Sequence, residues 1–193
     1  MGTSALRPTP GQTVGPFYGF ALPFDGDNHL APPAAAGAVR LHGTVFDGLG
    51  VPVPDALLEV WQAGEDGSAP RATGTFDRDG ATFTGFGRCG TDRAGGYRFW
   101  TREPARADGG APFFAVTVFA RGLMHRLLTR AYLPAPGGDL PSDALLSTLA
   151  PDRARTLVCE READGSLRFD VHLQGEGETV FLEHAAPHRH TAR

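Results

Sequence analysis

The chain contains no lysine; all 18 of its basic residues are arginine. Against 22 acidic residues they leave a formal net charge of −4, which excludes a general binder of nucleic acid or of anionic membranes. A GC-rich coding sequence accounts for the bias. Its physical consequence is that every fixed cation is a planar, weakly hydrated fork, better suited to interfaces than an ammonium group. Cysteine is nearly absent too. Cys89 and Cys159 make neither a metal-ligand spacing nor a disulfide framework, so reduced thiols and a cytoplasmic location are expected. No stretch approaches the ~18 apolar residues that span a bilayer. The opening MGTSALRPTPGQT lacks the apolar core of a signal peptide. Tyrosine occurs three times, as Tyr18, Tyr97 and Tyr132.

What is abundant is glycine (26) and proline (16), the punctuation of many short strands rather than long helices. One domain is the natural reading of 193 residues. The pattern divides it into an N-terminal arm and connection over 1–37, a β-sandwich over 38–183 and a C-terminal tail over 184–193. The central feature is Ala111–Ala120, an unbroken Phe-, Val- and Thr-rich run between Asp108-Gly109-Gly110 and Arg121-Gly122. Its β-branched and aromatic content predicts a central strand buried on both faces. Alternation predicts strands over Ala38–Asp47, Leu57–Ala63, Tyr97–Arg102, Leu127–Leu133, Leu157–Arg161, Leu167–Leu173 and Thr179–Leu182, with an irregular piece at Phe83–Arg88. Ser142 is placed to cap one short helix, Asp143–Leu149, ended by Pro151. About eight short strands with one minor helix predict an all-β sandwich. No repeat of fixed period points to a propeller or solenoid. Gly11–Phe20 carries three aromatics, which must lie against something, either the chain's own domain or a partner.

Chemistry is scarce. The central run holds no His, Cys, Asp, Glu or Tyr. Of seven histidines, only His184, His188 and His190 are close together, beyond the last strand, where adventitious metal binding is the plainer account. His42 and His172 fall on the faces of their strands that point away from the core. No nucleophile elbow is present, GFGR lacks the strand–loop–helix context of a phosphate loop, and Glu176 and Glu178 suit a polar turn. The residues by themselves therefore describe an all-β domain without a self-contained active site.

Several segments nevertheless resemble one family, the intradiol ring-cleaving dioxygenases. Thr9-Pro10-Gly11-Gln12-Thr13-Val14-Gly15-Pro16-Phe17 is similar to their T-P-x-Q-T-x-G-P-[FY] opening. Gly43–Gly48 and Val53–Ala63 resemble their G-x-V-x-D…P-x-A-x-x-E-x-W-Q-A core, with Gly85–Arg88 and Thr91-Asp92 following in register. Phe119–Gly122 and Gln174–Phe181 resemble the α rather than the β subunits of the two-subunit members that cleave protocatechuate. The resemblance covers Thr9 to about Leu182, and its pieces are specific in combination.

The resemblance implies a transthyretin-like (prealbumin-like) sandwich and a non-haem Fe(III) held by two Tyr and two His. Phenolate is a hard anionic donor suited to that ion. Here the two His positions hold Phe113 and Ala115, and neither Thr101–Gly110 nor Gly74–Gly85 supplies a Tyr. The implied role is a non-catalytic α subunit with no catalytic or metal residue of its own. The Fe(III) would sit in a homologous β subunit, with protocatechuate and O2 at the α/β junction. Thr13, Gly15, Pro16, Phe17 and Arg121 are the residues the resemblance places at that pocket and interface. Arg121 is expected to be buried, with Asp92 or Glu59 as the internal partner if it does not face the junction. Two alternatives stand beside this: a free-standing transthyretin-like binding module, and a homo-oligomeric dioxygenase with unusual ligands such as His184, His188 and His190.

Overall fold

The computed structural model describes residues 13–15, 17–68, 70, 79, 81–106 and 110–183. Two sheets face each other. In the first, β4 (Gly96–Arg102), β1 (Ala38–Phe46), β8 (Leu167–Arg168) and β7 (Glu160–Arg161) lie side by side, and β9 (Val171–His172) pairs with the far end of β1. In the second the order is β3 (Phe86–Gly90), β2 (Leu57–Trp61), β5 (Phe113–Phe119), β6 (Leu127–Tyr132), every pair antiparallel. The architecture is the all-β sandwich that the alternation predicts.

The period of two in each strand sets which side chains meet. Val39, Leu41 and Val45 of β1 and Tyr97 and Phe99 of β4 point inward from the first sheet. Leu58 and Val60 of β2, Phe114, Val116 and Val118 of β5 and Ala131 of β6 meet them from the second. Full burial of each large apolar side chain is worth about 1.5–3 kcal/mol. Leu30, in the connection before β1, is wholly buried in the same cluster. Gly87 makes the room: any side chain there would collide with that leucine. A second, smaller cluster gathers Ala111, Tyr132, Leu146, Ala154 and Leu157 at one end.

One expected strand is broken for a visible reason. The Leu167–Leu173 run divides into β8 and β9 at Phe169 and Asp170. The Asp170 carboxylate accepts from the Thr44 N–H at 2.9 Å, and the Phe169 carbonyl accepts from the Tyr97 hydroxyl. Gly43 admits this because its missing side chain leaves the space that the Phe169 carbonyl fills.

Other expectations need correction. The helix expected over Asp143–Leu149 is a single 3-10 turn, Leu146–Thr148. The capping oxygen belongs to Asp143, which accepts from the Leu145 N–H at 2.9 Å, rather than to Ser142. Pro151 starts a helical turn, α2 (Pro151–Arg155), instead of ending one, because proline's fixed φ suits the first helical position. Phe83–Arg88 was expected to be irregular, yet Phe86–Gly90 pairs along β2. Thr179–Leu182 forms no strand, although the Thr179 N–H reaches the His172 carbonyl and the Leu182 N–H the Leu128 carbonyl. The central strand β5 is central by hydrogen bonding, between β2 and β6, but only one face is fully buried; Phe113, Ala115, Thr117 and Phe119 are half-buried.

Candidate functional surface on the second sheet

The half-buried face of β5 belongs to a surface spread across the second sheet. Register places Phe86, Trp61, Ala115 and Arg130 in one row, and Arg88, Glu59, Thr117 and Leu128 in the next. Trp61 and Phe86 rings lie 4.4 Å apart, and the tryptophan stays half exposed. Glu59 binds Arg88 at 2.6 Å with side chains only 19% and 13% exposed, so this pair is shielded from solvent.

The arm crosses this face. Its one helical turn, α1 (Tyr18–Ala21), is held at two points. The Tyr18 hydroxyl donates to the Asp55 carbonyl, and Arg88 donates to the Leu22 carbonyl at 2.8 Å. Farther out, Val14 shares a cleft of about 230 Å³ with Phe119, Leu123 and Met124 beyond β5. Burial and the neighbouring Asp55 carboxylate push the Tyr18 phenol up, and the Arg121 guanidinium offsets part of this.

Arg121 meets the arm through that same aspartate. It is ion-paired with the Asp55 carboxylate and is 61% exposed. The expected burial is thus corrected: the chain turns outward at Ala120, and Gly122, with φ of +87°, completes the turn. Neither expected partner is free to serve. Glu59 holds Arg88, and the Asp92 carboxylate accepts the Ala94 and Gly96 N–H groups of its own turn.

Of the other residues expected at the site, Thr13, Gly15 and Phe17 are exposed, Phe17 at 78%. Pro16 lies outside the described residues, as do His184, His188 and His190. The structure therefore gathers Tyr18, Asp55 and Arg121 into one contact, with Thr13, Gly15 and Phe17 on the adjoining arm. Asp55 and Arg88 were missed as tethers. Both lie inside matching motif pieces, but nothing in their local pattern says which backbone they hold.

At Phe113 and Ala115 the surface is unsuited to iron. The Arg130 guanidinium lies 4.1 Å from the Phe113 ring centre and donates to the Tyr132 hydroxyl at 3.0 Å. That hydroxyl in turn donates to Asp143 at 2.9 Å. Phe113 and Ala115 offer no donor atom, and a ferric ion would face a fixed cation. Among the described residues, no three His, Cys, Asp or Glu side chains converge as a metal donor set. Tyr97 is buried against Phe169 in the core. His42 pairs with Glu162 at 2.9 Å and His172 stacks on Phe46 at 5.0 Å. Cys89 and Cys159 are both free thiols. No helix among the described residues is long and apolar enough to cross a membrane.

Comparison with known proteins agrees with this geometry. The Dioxygenase family model matches residues 15–112. The chain is 37% identical to the protocatechuate 3,4-dioxygenase alpha chain of Burkholderia cepacia, covering 93% of this chain and 99% of the relative. To the beta chain from the same organism it is 32% identical, over 71% of this chain and 64% of the relative. The dioxygenase domain of a carbohydrate-binding fusion protein from Streptomyces sp. SirexAA-E superimposes with a TM-score of 0.56 at 24% identity, covering 88% and 99% of the two chains, and shares the fold. The chain belongs to the intradiol ring-cleaving dioxygenase family, close to the α chains of protocatechuate 3,4-dioxygenase.

Proposed function

We propose that this chain is the non-catalytic α subunit of a protocatechuate 3,4-dioxygenase, paired with a homologous β subunit that holds the Fe(III). The observation that carries this is the pair Phe113 and Ala115: the face that would need imidazole donors presents a phenyl ring, a methyl group and the Arg130 cation. The near end-to-end match to an α chain, against the shorter match to a β chain, supports the same assignment. The reaction would insert both atoms of O2 across the ring bond between the catechol hydroxyls, giving 3-carboxymuconate. The iron chemistry belongs to the partner. This chain would contribute shape and charge: the arm at Thr13, Gly15, Pro16 and Phe17 closing one side of the pocket, and Arg121 adding positive potential that attracts the substrate carboxylate. Among the described residues nothing lies within 4 Å of the space beside Gly15, which leaves room there for a partner surface.

The test is expression of the chain alone and together with a β chain. Alone it should be colourless, with no tyrosinate-to-iron charge-transfer band. Together, a burgundy complex with one iron per α/β pair should cleave protocatechuate. A stoichiometrically iron-loaded, coloured preparation of this chain by itself would overturn the proposal.

A further inference from the structure

We propose that Asp55 and Tyr18 are positioning residues. Asp55 holds the arm through its backbone, by way of Tyr18, and Arg121 through its side chain, and so fixes both against one point at the edge of the pocket. The inference rests on the subunit reading above and adds two residues to it.

Asp55 is itself held rigidly. Pro52 and Pro54 lead into it, and their fixed φ stiffens the approach to β2. The residues on either side of Pro54-Asp55 are tied to one threonine. The Thr91 hydroxyl donates to the Val53 carbonyl at 2.8 Å and accepts from the Ala56 N–H at 2.9 Å, and the Thr91 N–H donates to the Ala56 carbonyl at 2.9 Å. Ala56 is buried in the main core cluster. The peptide around Asp55 is therefore part of the sandwich and not a free loop.

The two groups that it holds are not fixed by the core. The turn α1 buries none of its residues, and Arg121 stands 61% exposed where the chain leaves β5. The Tyr18 hydroxyl donates to the Asp55 carbonyl, and Arg121 Nε meets the Asp55 carboxylate. Both charges act on the Tyr18 phenol, so the three groups share one neighbourhood. An exposed ion pair and one hydrogen bond to a carbonyl add little to stability. What they do is restrict a long, freely rotating guanidinium and a short helical turn to one place each. Confinement before the substrate arrives lowers the cost of ordering them around it. The two halves of Asp55 are also separable, because the carbonyl survives any side-chain change and the carboxylate does not.

The test uses the complex with a β chain and, beside it, the free chain. In the complex Asp55→Asn should raise KM for protocatechuate about fivefold, with kcat changed by less than about twofold. Charge alone would lower KM, since a negative group beside an anionic substrate is removed, so the sign separates positioning from potential. With Arg121→Gln already in place the same change should add less than about twofold, because its effect passes through Arg121. Tyr18→Phe should raise KM by about fivefold, the size of one neutral hydrogen bond. In the free chain, hydrogen exchange at the Phe20–Leu22 amides, which bond the Phe17 and Tyr18 carbonyls, should quicken about fivefold in Tyr18→Phe and stay unchanged in Asp55→Asn. An active wild-type complex whose KM is not raised in either variant would overturn the proposal. So would an Asp55→Asn effect of equal size with and without Arg121, or unchanged exchange in Tyr18→Phe. A wild-type pair that fails to cleave protocatechuate would refute the subunit reading, and this inference with it. Should Asp55→Asn not fold, the KM and exchange of Tyr18→Phe decide.

Discussion

Arg121 is where the distinction between a structural and a functional side chain is sharpest. Its ion pair with Asp55 is largely solvent-exposed, 61% and 34% by side chain, and such pairs contribute about 0–1 kcal/mol. Arg121→Ala in the isolated chain should therefore cost less than about 1 kcal/mol, a melting shift within about 2–4 °C for a domain of this size. In the α/β complex the same change should lower kcat/KM or loosen assembly, and Arg121→Lys should restore only part of the loss. Calorimetry of the free chain and steady-state kinetics of the complex separate the two. A large stability loss with normal kinetics would take Arg121 out of the site.

At the scale of an element, the arm resolves the question of what its aromatics lie against by dividing them. Tyr18 turns inward and its hydroxyl reaches the Asp55 carbonyl, whereas Phe17 and Phe20 stay 78% and 85% exposed. Leu22, at 39%, continues the apolar side, and Arg88 holds its carbonyl from below. A turn pinned at both ends thus leaves two phenyl rings outward as an exposed apolar patch. The double change Phe17→Ser with Phe20→Ser should leave the free chain's stability within about 0.5 kcal/mol, as expected for exposed positions. It should weaken association with a β chain by at least about tenfold, because burying each ring is worth about 1.5–3 kcal/mol. Sedimentation of the mixed chains reads this directly, and unchanged association would return the arm to a purely local role.

For the whole molecule, the buried acids set an alkaline limit on stability. Burial pushes the Cys159 thiol from its ordinary 9.0 up to about 12, and the Tyr97 phenol well above its ordinary 10.0. Both stay protonated in the fold while the unfolded chain ionises, so the unfolded state releases protons first and gains stability as pH rises. Their contribution is complete below pH 9 and is lost progressively above it, through the thiols first, Cys159 with Cys89 (which burial also raises), and then Tyr97. Melting curves under reducing conditions from pH 7 to about 11 should fall from pH 9 upward. In Cys159→Ala the fall just above pH 9 should become shallower, because only Cys89, whose thiol burial also raises, still acts there, and tyrosine adds to it from about pH 10. Superimposable profiles would show that the Cys159 thiol contributes nothing to the alkaline limit. On the acid side the signs reverse. Asp143 is raised by burial, yet hydrogen bonds from the Leu145 N–H, the Tyr132 hydroxyl and the Ala111 N–H, with help from Arg130, hold it below its ordinary value. Its share is present above the ordinary carboxylate range and disappears as pH falls through the depressed value.

The period of two in AVRLHGTVF and YRFW fixed by itself which side chains enter the core, because adjacent residues in a strand must face opposite ways; in LLEVW it does not, since Leu57 and Leu58 are both fully buried. The motif pieces likewise pointed to the family, and by that resemblance Phe113 and Ala115 stand where two imidazole donors would be expected. What local pattern could not settle was anything that depends on a neighbour distant in sequence. The break between β8 and β9 needs Gly43, 126 residues before Phe169, to leave space for its carbonyl. The partner of Arg121 is Asp55 rather than Asp92 or Glu59, because those two carboxylates are already committed to a turn and to Arg88. Pro151 reads equally well as a stop or a start until the turn before it is seen to close at Thr148. Arg130 lies over the Phe113 ring only because β6 pairs with β5 in the register that sets it opposite Ala115. Side-chain alternation is a property of one strand and can be read from one strand; pairing, register and the competition of charges for partners belong to the folded chain, where residues far apart in sequence share the same few ångströms.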